Sequence, residues 1–186
     1  AIASARCLVL PGVGAFRPPR ETLRGAMEEA LRAALADGAW LLGICVGFQL
    51  LFERGEEFGS TDGLGLLPGV VGRLPAGVPL PHIGWNHLHD EQPHPLFEGV
   101  PAGSYFYFVH SYAPLTVPDE PSPRKGANAI CLARATHGAS FVAVAGRGRV
   151  LGTQFHPEKS GRAGLALLAN FLKMAHEGDA SPEGDT

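Results

Sequence analysis

Cys45 stands between Gly43 and Gly47 in LLGICVGFQLLFE (41–53), where a run of apolar residues gives way to a helical pattern. A thiol in that setting can act as a nucleophile. A strand that turns sharply into a helix strains the residue at the turn and requires small neighbours two positions away, and G-x-C-x-G is the thiol counterpart of the hydrolase nucleophile elbow. Such a turn projects the sulfur clear of the sheet and sets it at a helix N-terminus. Free N–H groups and the helix dipole there are expected to favour thiolate over thiol and to bind an oxyanion. A nucleophilic thiol needs a base, and the base needs an orienting group. QFHPEKS (154–160) supplies both. Pro157 biases His156 to an extended backbone, and in an extended segment residues i and i+2 share a side, so Glu158 can reach the His156 imidazole. Each pattern by itself is common, because free cysteines are often small buried apolar residues and histidines often end strands. Together they point to nucleophilic chemistry.

PGVGAF (11–16) follows the first strand-like run. Parallel strands deliver their loops to one end of a sheet, so an N–H of Gly12, Val13 or Gly14 can complete an oxyanion hole with that of Val46. Arg17 stands where a dinucleotide fingerprint needs its third glycine. Cys7 and Cys131, each inside an apolar run, read as structural. The stretch PHIGWNHLHDEQPH (81–94) contains His82, His87, His89 and His94, but at no compact ligand spacing, so a metal site is not expected.

The elements that must position these residues follow from hydrophobic patterning. CLVLPG (7–12) and AWLLGI (39–44) read as buried strands. Between them Leu23, Met27, Ala30 or Leu31, and Ala34 recur at helical spacing from Glu21 up to the Asp37-Gly38 stop. Strand and helix alternating with short connections imply a parallel sheet covered on both faces. LLPGVVGRL, HIGWNHLH, SYFYFVHSY, AICLARAT, SFVAVAG and VLGTQFH read as short strands, partly in antiparallel hairpins on the edge of that sheet. In GRAGLALLANFLKMAHE, Leu165, Leu168, Leu172 and Ala175 fall on one helical face. The fold class is therefore α/β, an open, mostly parallel sheet with helices on both faces and an antiparallel edge extension. One domain over residues 1–176 is expected, with a disordered polar tail at 177–186.

Composition narrows the function classes. The 186 residues carry a formal net charge of −3, which gives no electrostatic case for nucleic acid or anionic membrane as partner. No apolar run approaches the roughly 20 residues that span a bilayer, and AIASARCLVL lacks the pattern of a secretory signal. Three cysteines, an odd number at wide spacing, do not suit a disulfide framework, and a reducing, cytoplasmic setting is expected.

PGVGAF, LLGICVGFQLLFE and GTQFHPEKSG together resemble the class I (triad) glutamine amidotransferases, which release ammonia from glutamine and share a flavodoxin-like fold. PHIGWN, YFVHSY (107–112) and HPEKS most resemble the glutaminase subunits of imidazole glycerol phosphate synthases, which act in histidine biosynthesis. The resemblance runs from about Cys7 to the last helix. It implies Cys45 as nucleophile, His156 as acid–base, Glu158 as its orienter, and the backbone of Val46 with Gly12 and Val13 as oxyanion site. It further implies that Gly14, Gln49, Glu57, His110 and Ser111 bind glutamine. Gln49 lies four residues after Cys45, on the same helical face, which supports that role independently. Trp85 and Lys159 match positions that meet a (β/α)8-barrel cyclase, the partner that receives the ammonia. No cofactor is implied.

Val46 and Phe48 replace the family's more usual leucine and methionine, a tolerable change of apolar shape. The family pattern also has a strand, a helix and a second strand with a DYGxGN-like motif ahead of CLVL, and these are not in this sequence. CLVL is accordingly expected at an uncovered sheet edge, with poor solubility as the consequence. The rival readings are a glutaminase of another pathway, against which PHIGWN and HPEKS argue, and a non-catalytic docking subunit.

Overall fold

The computed structural model describes residues 2–116 and 131–180. In chain order the elements begin β1 (Cys7–Leu10), α1 (Arg17–Leu23), α2 (Ala26–Ala36), β2 (Trp40–Ile44), α3 (Val46–Gln49), β3 (Arg54–Gly55), β4 (Thr61–Asp62), β5 (Val70–Arg73) and β6 (His82–His87). They continue with β7 (Tyr105–His110), β8 (Tyr112–Thr116), β9 (Cys131–His137), β10 (Ala139–Arg147), β11 (Val150–Thr153) and α4 (Gly161–Ala180). The main sheet has the order β1-β2-β11-β10-β9. Its β1, β2 and β11 run parallel, and β10 and β9 extend it antiparallel. The sheet is open, with β1 at one edge and Val9 48% exposed there.

β2 is buried at all five positions, as an apolar run inside a sheet covered on both faces must be. Alternation assigns the covers. Trp40 meets Phe171 of α4 edge-on at 6.4 Å, so α4 lies on the face of Trp40, Leu42 and Ile44. The other face carries Gly43, against which the backbone of Phe48 in α3 packs.

Not every strand-like run joins the main sheet. β4-β3-β5-β8 form a second sheet, and β6 and β7 pair as a separate antiparallel hairpin. LLPGVVGRL, HIGWNHLH and SYFYFVHSY thus leave the edge where they were expected. The helix expected from Glu21 is two helices. Pro18 and Pro19 start α1 early, and Gly25, at φ 73°, breaks the run before α2. The break turns Met27 out to solvent while Leu23, Leu31 and Ala34 stay buried. In α4 the buried stripe is Leu167, Phe171 and Ala175, whereas Leu165 and Leu172, expected to be inward, are 60% and 50% exposed. Gly164 and Gly178 extend the inward stripe, lying against the Pro157 carbonyl and the Trp40 ring respectively. The helix continues through Ala180, so residues 177–180 of the expected tail are helical, and 181–186 lie outside the described residues. No helix among the described residues is long and apolar enough to cross a membrane.

The β6–β7 hairpin buries a polar chain. The His110 Nδ1–H donates to the Tyr112 carbonyl at 3.0 Å, which leaves His110 Nε2 to accept from His82 Nδ1 at 3.0 Å. His82 Nε2 then accepts from the Asn86 amide at 3.3 Å. The His82 ring stacks on Phe108 and on His137, with centroids 4.9 and 4.2 Å away. Burial, with His137 nearby, pulls His82 down to about 4. Burial, with His82 beside it, pulls His110 down to about 3.

Two outcomes follow from this packing. A Cβ at Gly47 would lie 1.7 Å from the Leu10 carbonyl oxygen, which is backbone and cannot rotate away. Gly47→Ala is expected to cost about 1–3 kcal/mol or more, read as a lower urea midpoint at unchanged slope. The histidines set a pH dependence. Both titrate near 6.5 when unfolded and well below that when folded, so between those values the unfolded chain holds the extra protons. Stability is complete above about 6.5 and falls as pH falls through that window toward about 4 and 3. Urea melts between pH 7 and 4 should fall less steeply for His82→Asn than for the unsubstituted chain.

Candidate active site

Three motifs meet at one end of the parallel half of the main sheet. PGVG follows β1, Cys45 follows β2, and His156 lies three residues beyond the end of β11. Neighbouring parallel strands place their C-terminal loops side by side. The Cys45 N–H donates to the Thr153 carbonyl at 2.8 Å, tying the turn after β2 to the end of β11.

Cys45 has φ 53° and ψ −110°, the strained conformation expected of an elbow. Its flanking glycines are there for backbone contact. A Cβ at Gly43 would lie 2.7–2.8 Å from the Phe48 backbone and the Gly47 carbonyl, and Gly47 abuts Leu10. Gly152, paired with Gly43 across the sheet, leaves room for the Phe48 ring.

His156 is buried, and its N–H donates to the Tyr107 carbonyl at 2.9 Å. Its own carbonyl accepts from the Ser160 hydroxyl at 2.6 Å. Nδ1 donates to Glu158 Oε1 at 2.7 Å, so Nε2 carries the lone pair. Nε2 is buried and has no hydrogen-bond partner. The His156–Glu158 contact expected from the i, i+2 spacing is present, across the short turn Pro157–Lys159.

The thiol departs from expectation. Burial pushes Cys45 up to about 11, with Glu158 adding to the rise and the Val46 N–H and Lys159 opposing it. The helix-terminus argument for a resident thiolate fails because α3 has only four residues, too few aligned peptides for a strong dipole, while the sulfur is almost out of reach of water. The Val46 N–H, the expected oxyanion donor, donates to the Gly12 carbonyl at 3.3 Å. Gly12 thus presents its oxygen, not an N–H, toward the elbow.

A pocket of about 410 Å3 opens beside the sulfur. Val13, Gly14, Gln49, Glu57, His110 and Ser111 line it with Cys45, Val46, His156 and Lys159, so most of the expected residues are brought together. Gly12, Glu158 and Trp85 do not line it. Glu57 Oε2 accepts from the Phe16 N–H at 2.8 Å, anchoring the far end of PGVGAF. Gln49 donates from one amide nitrogen to the Tyr112 carbonyl and to Gln154 Oε1, at 2.8 and 3.1 Å. Both its donors are then used, and its oxygen is the part left for a ligand. Three residues escaped sequence reasoning: Val109 and Tyr112 in the lining, and Gln154, whose amide lies 3.9 Å from the Cys45 sulfur. Gln154 could have been suspected, since it stands two residues before His156 in VLGTQFH, a run that reads as a strand, where such residues share a side.

Trp85 is outside the pocket, 57% exposed, with its ring edge-on to Tyr107 at 5.9 Å. Lys159 Nζ lies 5.9 Å from the other partner of that cluster, the Tyr107 ring centroid. Ile83 and Tyr105 are exposed beside them on the outward face of β6 and β7. Among the histidines of 81–94, His82 serves the buried chain, His89 pairs with Asp90 at 2.9 Å, and His94 accepts from the Leu96 N–H at 3.2 Å.

Comparison with known proteins fits this geometry. The family model "Glutamine amidotransferase class-I" matches residues 2–175. The chain is 49% identical over 175 residues to the imidazole glycerol phosphate synthase subunit HisH of Symbiobacterium thermophilum, covering 94% of this chain and 78% of that one. It is 45% identical over 181 residues to the HisH subunit of Moorella thermoacetica, covering 96% and 82%. Among solved structures, a glutamine amidotransferase superposes with a TM-score of 0.66 at 21% identity, covering 92% of this chain and 79% of that one. PurLQS from Thermotoga maritima gives 0.67 at 20% identity, covering 90% and 79%. The elbow, the buried base and the open α/β sheet have the company these similarities describe, and the chain belongs to the class I glutamine amidotransferase family.

Proposed function

We propose that this chain is the glutaminase subunit of an imidazole glycerol phosphate synthase. It hydrolyses glutamine to glutamate and ammonia through a cysteinyl thioester and hands the ammonia to a (β/α)8-barrel cyclase in histidine biosynthesis. The observation that carries the chemistry is the unpartnered, buried Nε2 of His156, held by Glu158 at the pocket that Cys45 also lines. The identity of the pathway rests on the HisH relatives at 45–49% identity.

In this reading the neutral Cys45 thiol passes its proton to His156 Nε2 as sulfur attacks the carboxamide carbon. Burial disfavours a free thiolate, so proton transfer and attack must be closely coupled. Glu158 stabilises the imidazolium that forms. His156 then protonates the departing nitrogen, ammonia leaves, and His156 activates the water that hydrolyses the γ-glutamyl thioester. Gln49 and Glu57 offer acceptor oxygens where the substrate ammonium would lie. Each good oxyanion donor lowers the barrier by about 3–4 kcal/mol. Because the Gly12 carbonyl occupies the Val46 N–H, rotation of the Gly12–Val13 peptide would free that donor and swing the Val13 N–H toward the same point. The resting subunit is then slow, and the outward aromatic face of Ile83, Trp85, Tyr105 and Tyr107 with Lys159 is where the cyclase docks.

Cys45→Ala is expected to abolish glutamine-dependent synthase activity by at least about a thousandfold while ammonia-dependent activity of the complex persists. Glutamate release and imidazole glycerol phosphate formation, measured side by side, decide it; glutamine hydrolysis by the alanine variant would remove Cys45 as nucleophile. Addition of cyclase with its ligand should raise glutaminase turnover by orders of magnitude. Equal turnover for the isolated subunit would count against the peptide-rotation account.

A further inference from the structure

We propose that Gln154 is a positioning residue for the nucleophile, its carboxamide N–H holding the Cys45 sulfur and favouring its thiolate as the proton leaves for His156. The inference rests on the reading of Cys45 as nucleophile and adds a residue to it. Gln154 has no accessible surface, and its backbone N–H is bonded to the Ala143 carbonyl at 2.8 Å, so β10 fixes where its side chain starts.

Its amide orientation is dictated by neighbours. The Tyr112 carbonyl can only accept, so Gln49 must face it with nitrogen. The same nitrogen reaches Gln154, which must therefore present its oxygen. The Gln154 nitrogen is left facing sulfur, at 3.9 Å. An amide N–H donates weakly to a neutral thiol but much more strongly to a thiolate, because the bond becomes charge-assisted. Gln154 thus contributes little to the resting state and more as charge develops on sulfur.

One other N–H near the sulfur, that of Val46, also favours a thiolate by hydrogen bonding. Glu158 opposes a thiolate and Lys159 favours it. His156 takes the proton. His110 and Glu57 line the pocket, but His110 is committed to Tyr112 and His82 and Glu57 to Phe16. The Val46 N–H is shared with the Gly12 carbonyl at 3.3 Å, so it is not given wholly to the sulfur.

The test follows alkylation of Cys45 by iodoacetamide against pH in the full chain, read on the Cys45 peptide by mass so that Cys7 and Cys131 do not interfere. Gln154→Met keeps the bulk and removes the donor. Gln154→Glu keeps an acceptor for Gln49 and removes the N–H. Both are expected to move the alkylation midpoint up by about one pH unit, a tenfold slower reaction at neutral pH, with the larger shift for the glutamate. In complex with the cyclase, kcat for glutamine should fall by a similar factor with KM little changed. An unmoved midpoint in a folded variant, or a loss confined to KM, overturns the proposal and leaves Gln154 as a prop for Gln49. Failure of both variants to fold overturns it too, by assigning Gln154 to the core. If Cys45→Ala is inactive while the Gln154 variants titrate normally, only this inference falls; if Cys45→Ala still hydrolyses glutamine, the nucleophile assignment falls with it.

Discussion

The structure depends on how closely α3 can approach the three strands beneath it, β1, β2 and β11. Gly47 lies against the Leu10 carbonyl, Gly43 against the backbone of Phe48, and Gly152 against the Phe48 ring. At each point a methyl group would overlap backbone or a buried ring, so the contact exists only because three side chains are missing. The approach fixes the turn between β2 and α3, and with it the strained φ of Cys45. It also brings the Val46 N–H to the Gly12 carbonyl. Backbone strain at a functional residue persists when the surroundings over-determine it, and here they consist of main-chain atoms that cannot yield.

Burial and activation of the sulfur pull in opposite directions. A shielded thiol is hard to ionise, and Cys45 is pushed far above the ordinary thiol range. The same shielding strengthens every dipole aimed at the site. The arrangement therefore suits a nucleophile that is charged only during the reaction, beside a base whose other nitrogen is held by Glu158 at 2.7 Å.

Much of this was legible in the residues, and what was not has identifiable causes. The elbow and the parallel pairing of β1 and β2 follow from local rules, glycine spacing and strand–helix alternation. The His156–Glu158 contact was expected but is made across the turn Pro157–Lys159 and not along an extended segment. VLGTQFH, expected among the edge runs, supplies the central parallel strand β11. The misread face of α4 has a different origin, since Leu165, Leu168 and Leu172 make as good a stripe as Leu167, Phe171 and Ala175, and tertiary contacts such as Phe171 on Trp40 and Gly164 on the Pro157 carbonyl decide between them. Met27 was misplaced because one glycine at φ 73° resets the helical phase. The neutral thiol was missed because the burial of Cys45 is a tertiary fact. Strand pairing was the least readable: nothing local says that HIGWNH joins YFYFVH in a hairpin of its own.

The polar chain through the hairpin and pocket has a direction of donation. It runs from Asn86 through His82 and His110 to the Tyr112 carbonyl, which also receives Gln49; from Gln49 it continues through Gln154 to sulfur. Tyr112 is the junction, and a peptide carbonyl accepts hydrogen bonds without having a proton to pass on. The two arms are joined as structure yet separated as conductors. His110, which lines the pocket, and His82 behind it can therefore order its amides without a hydrogen-bonded route for protons to the sulfur, and proton exchange with the thiol and the substrate falls to His156.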